Sequence, residues 1–166
     1  WRTRCYAAGG AEVDKGQAEA AGRGHMEAEE VLADIYSFGE GVAQDEARAL
    51  ELYGQAALQG SAHGHNSVGV MLHDLKDIDG AEAAYRAAIV VDPEHAAAHS
   101  ILGSLLCCRA QQTEKSGDLA AAAAMWEEAA THFEVSNGAA DESITQKATA
   151  KAARLRVALQ EGAGGG

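Results

Sequence analysis

Residues 24–36 read Gly24-His25-Met26-Glu27-Ala28-Glu29-Glu30-Val31-Leu32-Ala33-Asp34-Ile35-Tyr36. Shifted by 36 residues, the chain reads Gly60-Ser61-Ala62-His63-Gly64-His65-Asn66-Ser67-Val68-Gly69-Val70-Met71-Leu72. Shifted by a further 34, it reads Glu94-His95-Ala96-Ala97-Ala98-His99-Ser100-Ile101-Leu102-Gly103-Ser104-Leu105-Leu106. Small residues fall in register at Ala33, Gly69 and Gly103, and large apolar ones at Tyr36, Leu72 and Leu106. Each copy is followed by a second element with an aromatic and small or apolar residues three and four places on. These are Tyr53, Ala56, Ala57; then Tyr85, Ala88, Ile89; then Trp126, Ala129, Ala130. That spacing puts the three side chains of each set on one helical face.

The pattern describes helix pairs. A first helix, A, has a small residue in mid-span where a neighbour comes close; a second, B, offers an aromatic wedge and a flat alanine surface. Glycine inside a helix costs about 1 kcal/mol relative to alanine, so Gly69 and Gly103 need a reason, and close helix approach supplies it. One pair cannot bury its own apolar face, and about three must stack. The expected fold is therefore all-α: a superhelix of three antiparallel helix pairs over residues 24–136, with a capping helix over 137–161. The packing set is Ala33, Tyr36, Tyr53, Ala57, Gly69, Leu72, Tyr85, Ile89, Gly103, Leu106, Trp126 and Ala130.

Boundary signals agree with this division. Gly39 and Gly41 suit the turn after the first helix, and Asp45 suits the cap of the next. Asp79 with Glu82 reads as a capping box, Asp92-Pro93 as cap and first helical residue, and Gly117-Asp118 as stop and restart. The aromatic spacing is 32 residues from Tyr53 to Tyr85 but 41 from Tyr85 to Trp126. The polar stretch Arg109–Gly117 is thus either a helix that runs on or a projecting loop. In the last segment Ser143 and Gln146 form another possible capping box. There Ile144, Ala148, Ala152, Leu155 and Leu159 share one face, with Lys147, Lys151, Arg154 and Arg156 on the other. Residues 1–23 read as an extension with a partial helix over 11–22, and residues 162–166 as a flexible glycine-rich tail.

Composition narrows the class of work. The chain of 166 residues has 25 Asp+Glu against 13 Lys+Arg, a net charge of −12. That balance argues against nucleic acid and anionic membrane surfaces, since phosphate binding needs a basic face. No apolar run reaches the ~18–20 residues of a membrane span. Three Cys cannot build a dense disulfide framework. The 5% aromatic content, abundant alanine and few β-branched residues argue against a β-sandwich or barrel. The charge is uneven: residues 11–140 hold 7 basic and 22 acidic residues, between mildly basic ends. Such a body is either a solvated helical surface or a face that docks a basic partner.

Several of these residues carry a resemblance. Phe38-Gly39-Glu40-Gly41-Val42, then Asp45, Ala47 and Ala49, then Leu52-Tyr53-Gly54-Gln55-Ala56-Ala57-Leu58-Gln59-Gly60 resembles a Sel1-like repeat over residues 24–60. Tyr85-Arg86-Ala87-Ala88-Ile89, Asp92-Pro93 and Ala98-His99-Ser100-Ile101-Leu102-Gly103 are similar to a tetratricopeptide repeat. Both families are α-α solenoids, and the resemblance, over about residues 24–134, implies a scaffold that binds other proteins and has no chemistry or cofactor of its own. The second repeat departs from the pattern, having Lys76-Asp77-Ile78-Asp79-Gly80 in place of the Gly-x-Gly-Val turn, and the third carries the insert.

Reactive groups are sparse in pattern. His95 and His99 stand four apart, and His63 and His65 are expected in the loop entering the second A helix, but no nearby Cys pair or carboxylate pattern completes a zinc site. In Cys107-Cys108 the side chains of neighbours on a helix diverge, so one is expected buried and the other half-exposed. Phe38 is expected to be buried over its turn, and Trp1 to anchor into a partner. There is no phosphate loop, nucleophile elbow or His-Glu-x-x-His.

The functional expectation is a non-enzymatic interaction scaffold or adaptor that docks a basic protein segment, with no metal and no cofactor. Candidate contacts are Glu29, Asp34, Asn66, His73, His99 and Ser104 on the A helices, and Trp1, Arg2 and Arg4 at the start. A different mode is a peripheral subunit of a large organellar membrane complex, photosynthetic or respiratory, held by its termini. A His-based metal or enzymatic module is the alternative of another class. The sequence fits a soluble protein of the cytoplasm or of an organelle after loss of a targeting peptide.

Overall fold

The computed structural model describes residues 26–137 and 142–163. They form seven helices: α1 (Met26–Phe38), α2 (Glu46–Leu58), α3 (Ala62–Asp74), α4 (Ile78–Val91), α5 (Ala96–Ser116), α6 (Leu119–Asn137) and α7 (Glu142–Ala163). No strand occurs among the described residues. The chain divides into two compact units, one ending at Asp92 and the other beginning at Pro93. The first holds the hairpins α1–α2 and α3–α4, with α2 packed on α3; the second holds the hairpin α5–α6 with α7 against α6. Residues 1–23, including the partial helix expected over 11–22, lie outside the described residues, as do 164–166. Helix α7 runs on through Ala163, into the stretch read as a tail.

Local chemistry sets the boundaries. Gly39 (φ +70°) and Gly41 (φ +79°) turn the chain after α1, and Asp45 accepts from the Arg48 N–H at 3.0 Å to start α2. Ser61 caps α3 by accepting from the Gly64 N–H at 2.7 Å. Helix α4 starts earlier than the Asp79/Glu82 box implies. Lys76 takes a left-handed φ of 67°, the Asp77 N–H closes onto Leu72 O at 2.9 Å, and Asp77 itself accepts from the Gly80 N–H at 3.0 Å. Glu82 instead pairs with Arg86 one turn on, at 3.0 Å. Asp92 is likewise not the cap of α5. Extended at φ −130°, as a residue before proline prefers, it ends α4. The cap of α5 is His95, whose Nδ1 accepts from the Ala98 N–H at 3.2 Å. Ser143 lies inside α7, which starts at Glu142.

In unit 1 the core is Leu32, Ala33, Tyr36, Ala49, Leu52 and Tyr53, followed by Ala56, Ala81, Ala84, Tyr85 and Ala88. Leu72 and Ile89 are half-buried. The notch at Gly69 is filled by the ring of Tyr85: a Cβ there would stand 2.6 Å from Tyr85 Cε1. Phe38 is 73% exposed, not buried. It lies seven residues after Val31, which is 46% exposed, and shares with it a face of α1 that no described helix covers.

The third hairpin is longer in both arms. Helix α5 has 21 residues where α3 has 13, so the Arg109–Gly117 stretch is mostly helix, stopped by Gly117 at φ +91°. The ring over Gly103 is Phe133, 3.0 Å from a Cβ built there, and not Trp126. Trp126 lies seven residues before Phe133, and Ala110 seven after Gly103, which is two turns along each arm of an antiparallel pair. Trp126 therefore sits in the added turns. There it forms one buried cluster with Ala110, Ala122, Ala123, Ala130, Ala148, Ala152 and Leu155. The extension is what α7 packs on. Only the middle of the apolar stripe of α7 is covered: Ile144 and Leu159 remain 39% and 37% exposed. Lys151 bonds Glu114 of α5 at 2.9 Å, and Arg156 bonds Glu127 of α6 at 2.5 Å. Both pairs are partly solvated, so they orient α7 more than they stabilise it.

Candidate functional site

Of the nine candidate contacts, Trp1, Arg2 and Arg4 lie outside the described residues. Three of the six on A helices are interior groups, which corrects their reading as surface. Glu29 is 3% exposed. It accepts a hydrogen bond from Gln59 Nε2, and its neighbour Glu30 accepts one from Ser61 Oγ. Together they fasten the start of α1 to the turn between α2 and α3. Asn66 is 8% exposed, because the first half of α3 lies close against α2: a Cβ on Gly64 would stand 2.8 Å from the Ala57 backbone nitrogen. His99 is 5% exposed. Its Nε2 meets the Pro93 carbonyl at 3.0 Å and its Nδ1 meets Nδ1 of His132 at 2.9 Å. In a neutral His99 that gives Nε2–H to the carbonyl, Nδ1 is the acceptor and His132 the donor. The His95–His99 spacing thus joins no pair, since His95 is a helix cap and His99 faces α6.

The other three are at or near the surface. Asp34 is half-buried and accepts from the Tyr53 hydroxyl at 2.5 Å. Burial first, and then the Asp34 carboxylate, push the Tyr53 phenol well above its ordinary range. His73 is exposed, 4.0 Å from Asp74. Ser104 is exposed and donates back to Ser100 O at 3.0 Å. His63 and His65 lie within α3 and not in a loop. Among the described residues no group of three or more His, Cys, Asp or Glu could hold a metal ion. Cys107 is half-buried and Cys108 exposed, both as free thiols. Burial, with Cys108 alongside, pushes the Cys107 thiol up to about 11. No helix among the described residues is long and apolar enough to cross a membrane.

Among the described residues, unit 1 also carries a concavity that the sequence candidates did not include. It is a groove of about 510 Å³ between the first half of α2 and the second half of α3, closed at one end by the α1–α2 turn. Leu50, Val70, Met71 and Leu75 give it apolar walls, and Glu46 and Asp74 line it with carboxylates. Gln44 ties its end by donating to Ser37 O at 3.0 Å. Val70 is 38% exposed and Leu75 65% exposed. The Asp74 carboxylate lies near enough to Tyr85 to add to the burial that pushes that phenol up to about 12. Among residues 26–92 thirteen Asp and Glu stand against Arg48, Lys76 and Arg86. Arg48 stacks over the Tyr36 ring at 4.4 Å, and Arg86 pairs with Glu82. The surface of this unit is strongly acidic.

No protein-family model matches the chain, and no curated protein matches it. Solved structures do. A Sel1 repeat protein from Oxalobacter formigenes superposes with a TM-score of 0.55 at 18% identity, covering 86% of this chain and 63% of that one. A protective antigen of uropathogenic Escherichia coli with an SLR fold gives 0.54 at 21% identity, covering 82% and 35%. The TPR2B domain of yeast Sti1, in a complex with pHsp70, gives 0.50 at 17% identity, covering 76% and 97%. The chain spans about a third and just under two thirds of the first two of these structures in the order antigen, Sel1 protein. The likeness fixes the fold: an all-α arrangement of helix hairpins of the Sel1-like and tetratricopeptide type, as the resemblance at Phe38–Gly60 and Tyr85–Gly103 implies.

Proposed function

We propose that this helical-repeat protein is a non-enzymatic scaffold that holds a basic segment of another protein on the acidic surface of its first unit. The observation that carries the reading is the charge of that unit, thirteen carboxylates against three cations in residues 26–92. Opposite charge raises encounter rates and sets specificity at such surfaces. The polar groups that a catalytic reading would need are used in packing. Asp34 holds Tyr53, Glu29 holds Gln59, and His99 is bonded between Pro93 and His132. The solved structure of yeast Sti1 with pHsp70 supports a fold of this type working by protein recognition.

The test is calorimetric titration of the full chain with a lysine- and arginine-rich peptide pool. Saturable binding that weakens about tenfold or more from 50 to 500 mM salt is the expected result, because exposed charges are screened within about a Debye length. Binding that ignores salt, or an absence of binding to any basic peptide, sinks the reading.

A further inference from the structure

We propose that the groove between α2 and α3 docks a short partner segment in which one large apolar side chain stands beside a Lys or Arg. The inference rests on the scaffold reading and adds where the partner is held and what it must carry. The volume of about 510 Å³ lies in the range of pockets that hold small ligands, ample for a large side chain and its neighbours. Leu50, Val70 and Met71 offer the guest apolar walls, and Leu75 beside them is 65% exposed. Apolar surface left in water favours a guest that covers it. Met71 is unbranched and adapts to guests of different shape.

The charges choose the flank of the guest. Glu46 and Asp74 line the same groove, and no Lys or Arg lines it. A wholly apolar guest would strip water from these carboxylates without replacing it, which is costly. An acidic guest would be repelled by them and by the surrounding acidic surface. A cation next to the apolar anchor satisfies both. The groove is distinct from the A-helix positions Asp34 and Asn66, which face the Tyr53 side of α1 and α3 or the interior.

The chain has three methionines, and they make the test. Met71 lines the groove, Met26 opens α1, and Met125 packs on the Trp126 cluster of the other unit. Methyl-labelled methionine is observed in the full chain while three acetylated seven-residue peptides are added to millimolar concentration. The first has Leu between two lysines, the second has Ser in place of that Leu, and the third has Glu in place of both lysines. The first peptide is expected to move Met71 saturably and leave Met125 still. The other two should bind about tenfold more weakly or not at all. Combining Glu46→Gln with Asp74→Asn should cost the first peptide a similar factor, as should Leu50→Ser alone. An unchanged helical circular-dichroism signal and an unchanged urea transition in the absence of peptide report that these variants remain folded.

Saturable binding with Met71 unmoved overturns the groove and leaves the scaffold reading standing. Failure of every basic peptide, the pool above included, overturns both. A Met71 signal that shifts on dilution assigns the groove to a second copy of the chain. One that shifts on deletion of residues 1–10 assigns it to the chain's own start. Either result overturns docking of a partner there.

Discussion

The ring of Tyr85 occupies the space that a side chain at Gly69 would need. A Cβ there would lie 2.6 Å from Cε1 and 2.8 Å from Cδ1, and Tyr85 is only 1% exposed, so the ring has nowhere to move. Gly69→Ala should therefore destabilise the protein by about 1–3 kcal/mol despite the better helix propensity of alanine. At Gly54 a Cβ meets nothing within 4 Å, and Gly54→Ala should gain up to about 1 kcal/mol. Urea denaturation of the two variants gives opposite signs if the notch is real.

Trp126 and Phe133 divide the labour of the second unit. Trp126 shares its cluster with Ala148, Ala152 and Leu155 of α7, whereas Phe133 covers Gly103. Trp126→Ala should cost about 3–5 kcal/mol and raise amide exchange along α7. Phe133→Ala should cost a similar amount and open α5 and α6 near Gly103 first. Hydrogen exchange read by mass spectrometry separates them; an α7 that is equally protected in Trp126→Ala would contradict the assignment.

The adjacent thiols should differ in reactivity. Burial holds Cys107 near 11, which leaves about one thiolate in a thousand at pH 8, and the thiolate is the reactive form. Cys108 is exposed. Limiting iodoacetamide, followed by peptide mapping, should label Cys108 well before Cys107. Labelling in the reverse order would show that Cys107 is not buried as described.

Alkaline pH should unfold the first unit. Burial raises Tyr85 from an ordinary 10.0 to about 12, with Asp74 adding to it, and raises Tyr53 further. The folded state therefore keeps protons that the unfolded state releases. The resulting stability is fully present below pH 10 and is lost as pH rises from 10 through 12. Tyrosine absorbance near 295 nm should rise together with loss of helical signal in that window. Tyr85→Phe should flatten the loss; an unchanged pH profile in that variant would remove Tyr85 as its cause.

Much of the fold was legible because its signals are local. The i, i+3, i+4 sets at Tyr53 and Tyr85 report which face of a helix is apolar, and Gly39, Gly41, Asp45 and Gly117 report where helices stop and start. The third hairpin misled for the same reason. Trp126-x-x-Ala129-Ala130 has the spacing of Tyr53-x-x-Ala56-Ala57, yet two added turns on each arm move the residue over Gly103 to Phe133. Phe133 is followed by Ser136 and Asn137, which do not advertise a packing face. The groove was illegible because its lining comes from three stretches, near 37, 44–50 and 70–75, whose residues each look like solvent-facing positions.

What the sequence by itself determined is the alternation of helices and the small-residue notches, since helix periodicity and caps depend on bonds within about four residues. Tertiary structure alone decided that Glu29, Asn66 and His99 lie inside, that Phe38 lies outside, and which ring closes over Gly103. Burial depends on what another segment brings across the gap, and that partner is chosen by helix length and register. A polar residue near the start of a helix looks the same in sequence whether water or Gln59 receives it.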